Sequence, residues 1–272
     1  MHKRAIKAFQ KLIYDHYREY GRDFPWRRTK NPYRILVSEV MLQQTQADRV
    51  IPKYHSFLAE FPTVHSLAEA PLSAVLRAWQ GLGYNRRARM LHECAKVVVL
   101  THRGTFPRTY EGLKELPSVG PYTAGAVMAF AYNIPVPIIE TNIRTVYLHH
   151  FFPHQQGVND NELIPYISAT LDYEQPRTWY AALMSYGAHL KKTVGNVSVR
   201  SRHHTKQTTF KGSTREVRGA IVRVLAHAEA PLTRTALFNT TQCSREECNN
   251  QLDALIRERM VVRTGRKFAL SD

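Results

Sequence analysis

Hydrophobic positions recur at spacings of three and four along most of the chain. Residues 1–20 carry Ile6, Phe9, Leu12, Ile13 and Tyr17 on one face and end at Gly21, which predicts an amphipathic helix. A second helical pattern runs from Ile35 to about Phe61, with Pro52 placed to start a new helix and Pro62 to stop it. Further helical runs follow at 72–80, 85–102, 109–116, 123–132, 141–151, 160–171 and 176–190. Period-two alternation competes nowhere in the first 190 residues, so the fold class is all-α, a bundle of about ten short helices.

The pattern breaks after residue 190. Lys191, Lys192, Arg200, Arg202, His203, His204, Lys206 and Lys211 occur without one acidic residue up to Gly212, and 191–212 reads as a basic linker. Helical periodicity resumes at Val217, Ile221, Val224 and Leu225, then Leu237, then Leu252, Leu255 and Ile256. Two β-prone runs around Gly265 follow within 261–270. Three helices and a hairpin is the order of a winged-helix module, an order that other small caps share. The expected organisation is therefore a helical domain 1–190, a linker 191–212 and a winged-helix-like module 213–272.

Composition excludes several classes. The 272 residues are 43% hydrophobic and 22% charged, near the globular average, which rules out disorder and low complexity. No run approaches the roughly 18 apolar residues of a membrane span, and the start Met1-His2-Lys3-Arg4 lacks the apolar stretch of a secretion signal. A soluble, cytoplasmic protein with no membrane partner is expected. Lys and Arg number 38 against 22 Asp and Glu, a net charge of +16. That excess is beyond the roughly 2–8 that serves solubility in a small domain, and nucleic acid is the polyanion that best answers it. Cys94, Cys243 and Cys248 form no C-x-x-C pair, so neither a disulfide framework nor a four-cysteine site is expected. The pair His203-His204, like His149, His150 and His154, lacks matching carboxylates, and no metal is expected.

Three segments carry candidate chemistry. Leu116-Pro117-Ser118-Val119-Gly120-Pro121-Tyr122-Thr123-Ala124 joins two helical runs through a Gly-bearing turn. Such a turn is a common helix connection, and it also exposes backbone N–H groups at a helix N-terminus, which suit a phosphate. Ser38-Glu39-Val40-Met41-Leu42-Gln43-Gln44-Thr45-Gln46 sets a carboxylate and two amides within one or two turns, as a solvated helix face also does. Pro137-Ile138-Ile139-Glu140-Thr141-Asn142 places a carboxylate where a helix begins, the position of an ordinary cap as well as of a catalytic acid.

These segments together, with Phe24-Pro25-Trp26-Arg27 before them and Trp79-Gln80-Gly81-Leu82-Gly83-Tyr84 between, resemble the MutY-like adenine DNA glycosylases of the helix-hairpin-helix (HhH-GPD) superfamily over about residues 5–190. The resemblance implies a monofunctional base-excision enzyme that flips adenine out of a duplex, mispaired with guanine or 8-oxoguanine, and hydrolyses its N-glycosidic bond. Cleavage builds positive charge on the sugar and negative charge on the base, so one acid must give a proton and one anion must face the cation. By resemblance Glu39 is the general acid toward adenine N7. Glu140, with Asn142 two residues on, stands where the family has Asp, one methylene longer. Tyr122 occupies the place of the lysine that lyase branches use, and a phenol forms no Schiff base. Leu42, Gln43, Gln44 and Tyr84 would probe the base stack, Val119 and Gly120 would hold a phosphate, and Arg27 and Arg87 would add DNA contacts. Ser118 replaces the first glycine of the family's hairpin.

Two family features are not matched in the sequence. Four cysteines that hold an iron–sulfur cluster follow the helix at 176–190 in most relatives, and here that region has none, so no cofactor is expected. A helix-rich 213–272 does not match the α/β domain with which the family reads 8-oxoguanine. That keeps open a thymine or uracil glycosylase acting on T:G and U:G, and, from a different class, a non-catalytic DNA-binding protein. The expected partner is double-stranded DNA carrying a mismatch or oxidised guanine, engaged by a monomer.

Overall fold

The computed structural model describes residues 2–206, 209–210, 212–241 and 243–272; Met1 and Lys211 lie outside them. Among the described residues the first 193 form eleven α-helices: α1 (Lys3–Tyr20), α2 (Pro32–Leu42), α3 (Ala47–Glu60), α4 (Val64–Glu69), α5 (Leu72–Ala78), α6 (Arg86–His102), α7 (Tyr110–Lys114), α8 (Pro121–Tyr132), α9 (Thr141–Phe151), α10 (Asp160–Thr170) and α11 (Pro176–Thr193). The all-α reading holds. Pro52 lies inside α3 rather than at its start, because Gln46 already serves as N-cap and a proline φ suits a helix at the loss of one ladder hydrogen bond. Helix α4 escaped the sequence reading. Its capping box pairs Thr63 with Ser66 instead of the usual Glu or Gln, and the helix has only six residues.

Contacts divide the chain into two compact units that do not follow the linear division at 190 and 213. The first holds Met1–Glu39, Pro107–Glu115 and Val119–Lys206; the second holds Val40–Phe106, Leu116–Ser118 and Gln207–Asp272.

In the first unit, α8 is buried at every residue from Thr123 to Phe130, the signature of a helix surrounded by protein. Its small residues permit close approach: a Cβ on Gly125 would lie 2.1 Å from Ile138 Cγ2. Helix α1 buries Phe9 and Ile13, and the Phe9 ring meets Tyr147, Phe151 and Trp179 at centroid separations of 5.8, 5.1 and 6.0 Å. Each such ring contributes about 1.5–3 kcal/mol by burial. The expected linker is not an open one. Helix α11 runs on through Lys191 and Lys192, and a 3₁₀ turn at Val197–Arg200 buries Val197 and Ser198 and packs on α9. Ser201 then bridges Val158 in parallel, and Arg200 donates to the carbonyls of Phe152 and Pro153.

In the second unit, Trp79 is fully buried, meets Phe57 edge-on at 5.8 Å and donates its indole N–H to Gly83 O at 3.1 Å. Residues 213–272 form α12 (Thr214–His227), β1 (Leu232–Thr233), α13 (Arg234–Thr241), α14 (Arg245–Arg257), β2 (Val261–Thr264) and β3 (Lys267–Leu270). Strand β1, two residues long and missed by the sequence reading, pairs with β3 and turns the expected hairpin into a three-stranded antiparallel sheet of order β1-β3-β2. Helix α12 packs on α5, and Ser73 Oγ donates to Asp272 Oδ1 at 2.7 Å, so these residues share a core with α3–α6.

Helices α9 and α11 touch through Gly187, where an added Cβ would sit 2.2 Å from the Asn142 carbonyl oxygen. Because the obstacle is backbone, Gly187→Ala is expected to destabilise the protein by about 1–3 kcal/mol, read as a lower denaturant midpoint in equilibrium unfolding.

Candidate active site

Four elements of the first unit bring charged and polar groups together. Helix α2 supplies Glu39, the second residue of α8 is Tyr122, the N-cap of α9 is Glu140, and the last turn of α11 carries Lys191. Glu39 is only 6% exposed, and its Oε2 accepts the Tyr122 hydroxyl at 2.6 Å. Loss of hydration pushes its pKa up to about 7, the negative charge of Glu140 adds to that rise, and the Tyr122 hydrogen bond and Arg27 oppose it. Tyr122, half-buried beside two carboxylates, is raised well above the usual phenol value by loss of hydration and their negative charge, and stays a donor.

Glu140 occupies a different environment. Its Oε1 accepts the backbone N–H groups of Asn142 and Ile143 at 2.7 and 2.8 Å, and its Oε2 accepts Asn142 Nδ2 at 3.2 Å. The side chain folds back and caps α9 with both oxygens engaged. Burial raises Glu140 above the ordinary carboxylate range, and the two backbone donors, then Lys191 and Arg144, act against that rise. A helix N-terminus favours the anion in any case. The pair is thus differentiated: one carboxyl holds its proton into the neutral range, and the other is solvated by fixed amides.

Arg27 follows Phe24 and Trp26, which are both buried and stack at 4.9 Å. Its guanidinium lies over the Phe24 and Tyr17 rings at 5.1 and 5.8 Å and acts electrostatically on Glu39. The sequence reading placed Arg27 on DNA, and the structure adds this link to the carboxylate. At the start of α8, Gly120 is exposed with open space where a Cβ would stand, no side chain caps the helix, and the Val119 side chain is buried.

The second unit holds the remaining expected site residues on two turns. Gln44 follows α2 with φ +55°, and Gly81, Gly83 and Tyr84 have φ of +93°, +73° and +49°. Leu42 and Gln43 are half-buried and Gln44 is exposed. Arg87 was expected to contact DNA, and the structure corrects this. Its guanidinium is buried and donates to the carbonyls of Val40, Met41 and Gln43 at 2.8, 3.0 and 2.6 Å, to Thr45 Oγ1 at 3.2 Å, and to the carbonyls of Leu82 and Gly83 at 3.2 Å. A guanidinium with five N–H donors suits such a task, and here it ties the Gln44 turn to the Tyr84 turn. Tyr84 also meets Arg215 of α12, whose guanidinium lies 5.5 Å from the ring and donates to the hydroxyl. Ser118 stands at φ +67°, a conformation that costs a non-glycine residue about 1–2 kcal/mol, so the departure from glycine is accommodated with strain.

Sequence reasoning missed Lys191 and Arg215. Lys191 was read as the first residue of a linker, and Arg215 as one arginine of a separate module; neither has a motif around it. Among the described residues no group of three His, Cys, Asp or Glu side chains is arranged to hold a metal, and no helix is long and apolar enough to cross a membrane.

Comparison with known proteins agrees with this geometry. Residues 37–164 match the HhH-GPD superfamily of base excision DNA repair proteins. The adenine DNA glycosylase of Mycolicibacterium smegmatis is 35% identical over 95% of this chain and 93% of its own length. Among solved structures, a thermostable thymine-DNA glycosylase superposes with a TM-score of 0.60 and 28% identity, covering 67% of this chain and 86% of that one. An endonuclease III trapped on DNA superposes with a TM-score of 0.59 at 18% identity, over 70% of this chain and 87% of that one, which supports the fold.

Two outcomes follow from the buried groups. Arg87→Met removes a donor from each of five carbonyls and is expected to cost about 2–4 kcal/mol in equilibrium unfolding. The folded-state pKa of Glu39 lies above the unfolded value, so its burial costs nothing while both states are protonated. The cost grows as pH rises from about 4.5 to about 7 and stays above that. Glu39→Gln is therefore expected to unfold like the parent at pH 4 and to be about 1–3 kcal/mol more stable at pH 8.

Proposed function

The chain belongs to the adenine DNA glycosylases, a DNA-acting branch of the HhH-GPD superfamily, and on that premise we propose that it excises adenine opposite guanine or 8-oxoguanine through the Glu39–Glu140 pair. The observation that carries the roles is the contrast between the two carboxyls: Glu39 keeps a proton near neutral pH, and Glu140 is solvated by the first turn of α9.

With the adenine flipped out, protonated Glu39 gives its proton to N7, and the bond from C1′ to N9 breaks with its electron pair leaving on the base. Glu140, as an anion, faces the oxocarbenium charge on the sugar. Water adds to C1′, its surplus proton returns to the Glu39 carboxylate, and the products are free adenine and an abasic site. Tyr122 holds Glu39 through its hydroxyl and supplies no amine. Lys191 Nζ is held as a donor to Asn142 Oδ1. The reaction is accordingly monofunctional.

Leu42, Gln43, Gln44 and Tyr84 are assigned to the base stack, and the start of α8 at Val119 and Gly120 to a phosphate. Exposed Arg202, His203, His204 and Lys206 add positive charge to a chain of net charge +16. The match to the mycobacterial adenine glycosylase covers 95% of the chain and so extends into residues 213–272. This supports adenine as the base released even with a helix-rich C-terminal module. A monomer working in the cytoplasm completes the reading. The likeness to a thymine-DNA glycosylase at 28% identity favours T:G as the second substrate to test.

Single-turnover base release on duplexes carrying A:8-oxoG, A:G, T:G and U:G is the test. Adenine is expected from the first two, with a rate that falls as pH rises through about 7 and the Glu39 proton is lost. Glu39→Gln is expected to slow release by about 10²-fold or more, and borohydride to trap no covalent complex. Release of thymine or uracil alone, or efficient trapping, would overturn the proposal.

A further inference from the structure

Lys191 touches the site without a motif to announce it. Gly187 lets α11 close on the α9 backbone at Asn142, and Lys191, four residues further along the same helix face, is carried onto the Asn142 side chain. There Nζ donates to Asn142 Oδ1 at 2.8 Å, while Asn142 Nδ2 donates to Glu140 Oε2 at 3.2 Å. An ammonium only donates and a carboxylate only accepts, so the amide between them has one permitted orientation. Flipping it would set NH₂ against the ammonium and oxygen against the carboxylate.

We propose that Lys191 is a positioning residue for the excision reaction, locking Asn142 and thereby holding Glu140 in place as the anion that faces the sugar. The inference rests on the site reading given above. The titratable and charged groups that bear on Glu140 are Glu39 from α2, Tyr122 from α8, Arg144 from α9 and Lys191 from α11. Arg144 is engaged by Asp160 through two hydrogen bonds of 2.8 and 2.7 Å, so its charge is largely answered there. Two carboxyls that share a site compete for one proton, and a cation beside Glu140 sends that proton to Glu39. Lys191 is half-buried: loss of hydration pulls its pKa below the usual lysine value, and Glu140 opposes that fall.

The test compares wild type, Lys191→Met and Lys191→Arg in single-turnover adenine release from pH 5 to 9, with binding of the uncleaved duplex measured alongside. Lys191→Met is expected to lower the rate about tenfold or more and to move the acidic limb of the profile to higher pH, with duplex affinity unchanged. Lys191→Arg is expected to recover most of both. Wild-type rate and profile in Lys191→Met, or a slower rate with an unmoved limb and no rescue by arginine, would overturn the role. An unfolding cycle of Lys191→Met, Glu140→Gln and the double variant needs no activity: coupling at pH 7 that vanishes at pH 4 supports the link, and no coupling at pH 7 refutes it. Should wild type release no base, the reading of the site falls, and the cycle alone then decides the Lys191–Glu140 link.

Discussion

Two carboxyl groups withdrawn from water within electrostatic reach of each other are the constraint on which the candidate site depends. Left to themselves, Glu39 and Glu140 would each resist ionisation and share a proton without preference. The fold removes the degeneracy by unequal solvation. Glu39 receives one hydroxyl, and Glu140 receives two backbone amides, a side-chain amide and the positive end of α9. The two groups are chemically the same, so any difference between them comes from their surroundings.

The same economy appears in the second unit, where one buried arginine organises two turns. Gln44 and Tyr84 both adopt left-handed backbone, which side chains other than glycine resist. Arg87 holds those turns by carbonyls of each, at a cost in desolvation that lowers its own pKa to about 10. Strain placed at these exposed turns is thus balanced by an anchor beneath them, whose two terminal nitrogens are hydrogen-bonded to both turns. Arg215, reaching Tyr84 from α12, makes the C-terminal residues part of that support.

Long helices with a clean apolar stripe, such as α1, α6 and α11, were legible because periodicity and burial are one signal. Short or unusually capped elements were not: α4 carries a Thr–Ser box, and β1 exists only because β3 lies beside it. Among candidate site residues, Glu39, Tyr122, Glu140 and Asn142 stand out in the sequence through their motifs, and the fold brings them together as neighbours. Arg87 was read as a DNA contact because a basic residue beside a motif has the same letter whether it faces solvent or carbonyls.

By itself, then, the amino-acid sequence determined the helical class, the excess of positive charge and the candidate acids, since each follows from local spacing or composition. Only the tertiary structure decided that Arg87 is an internal clamp, that 197–200 packs on α9, that Lys191 reaches Asn142, and that the two carboxyls are solvated unequally. The physical reason is that hydration, and with it charge state and hydrogen-bond choice, depends on what surrounds a group in space. Those surroundings come from segments 40 to 160 residues apart, as in the pairs Arg87–Val40, Lys191–Asn142 and Tyr14–Asp172.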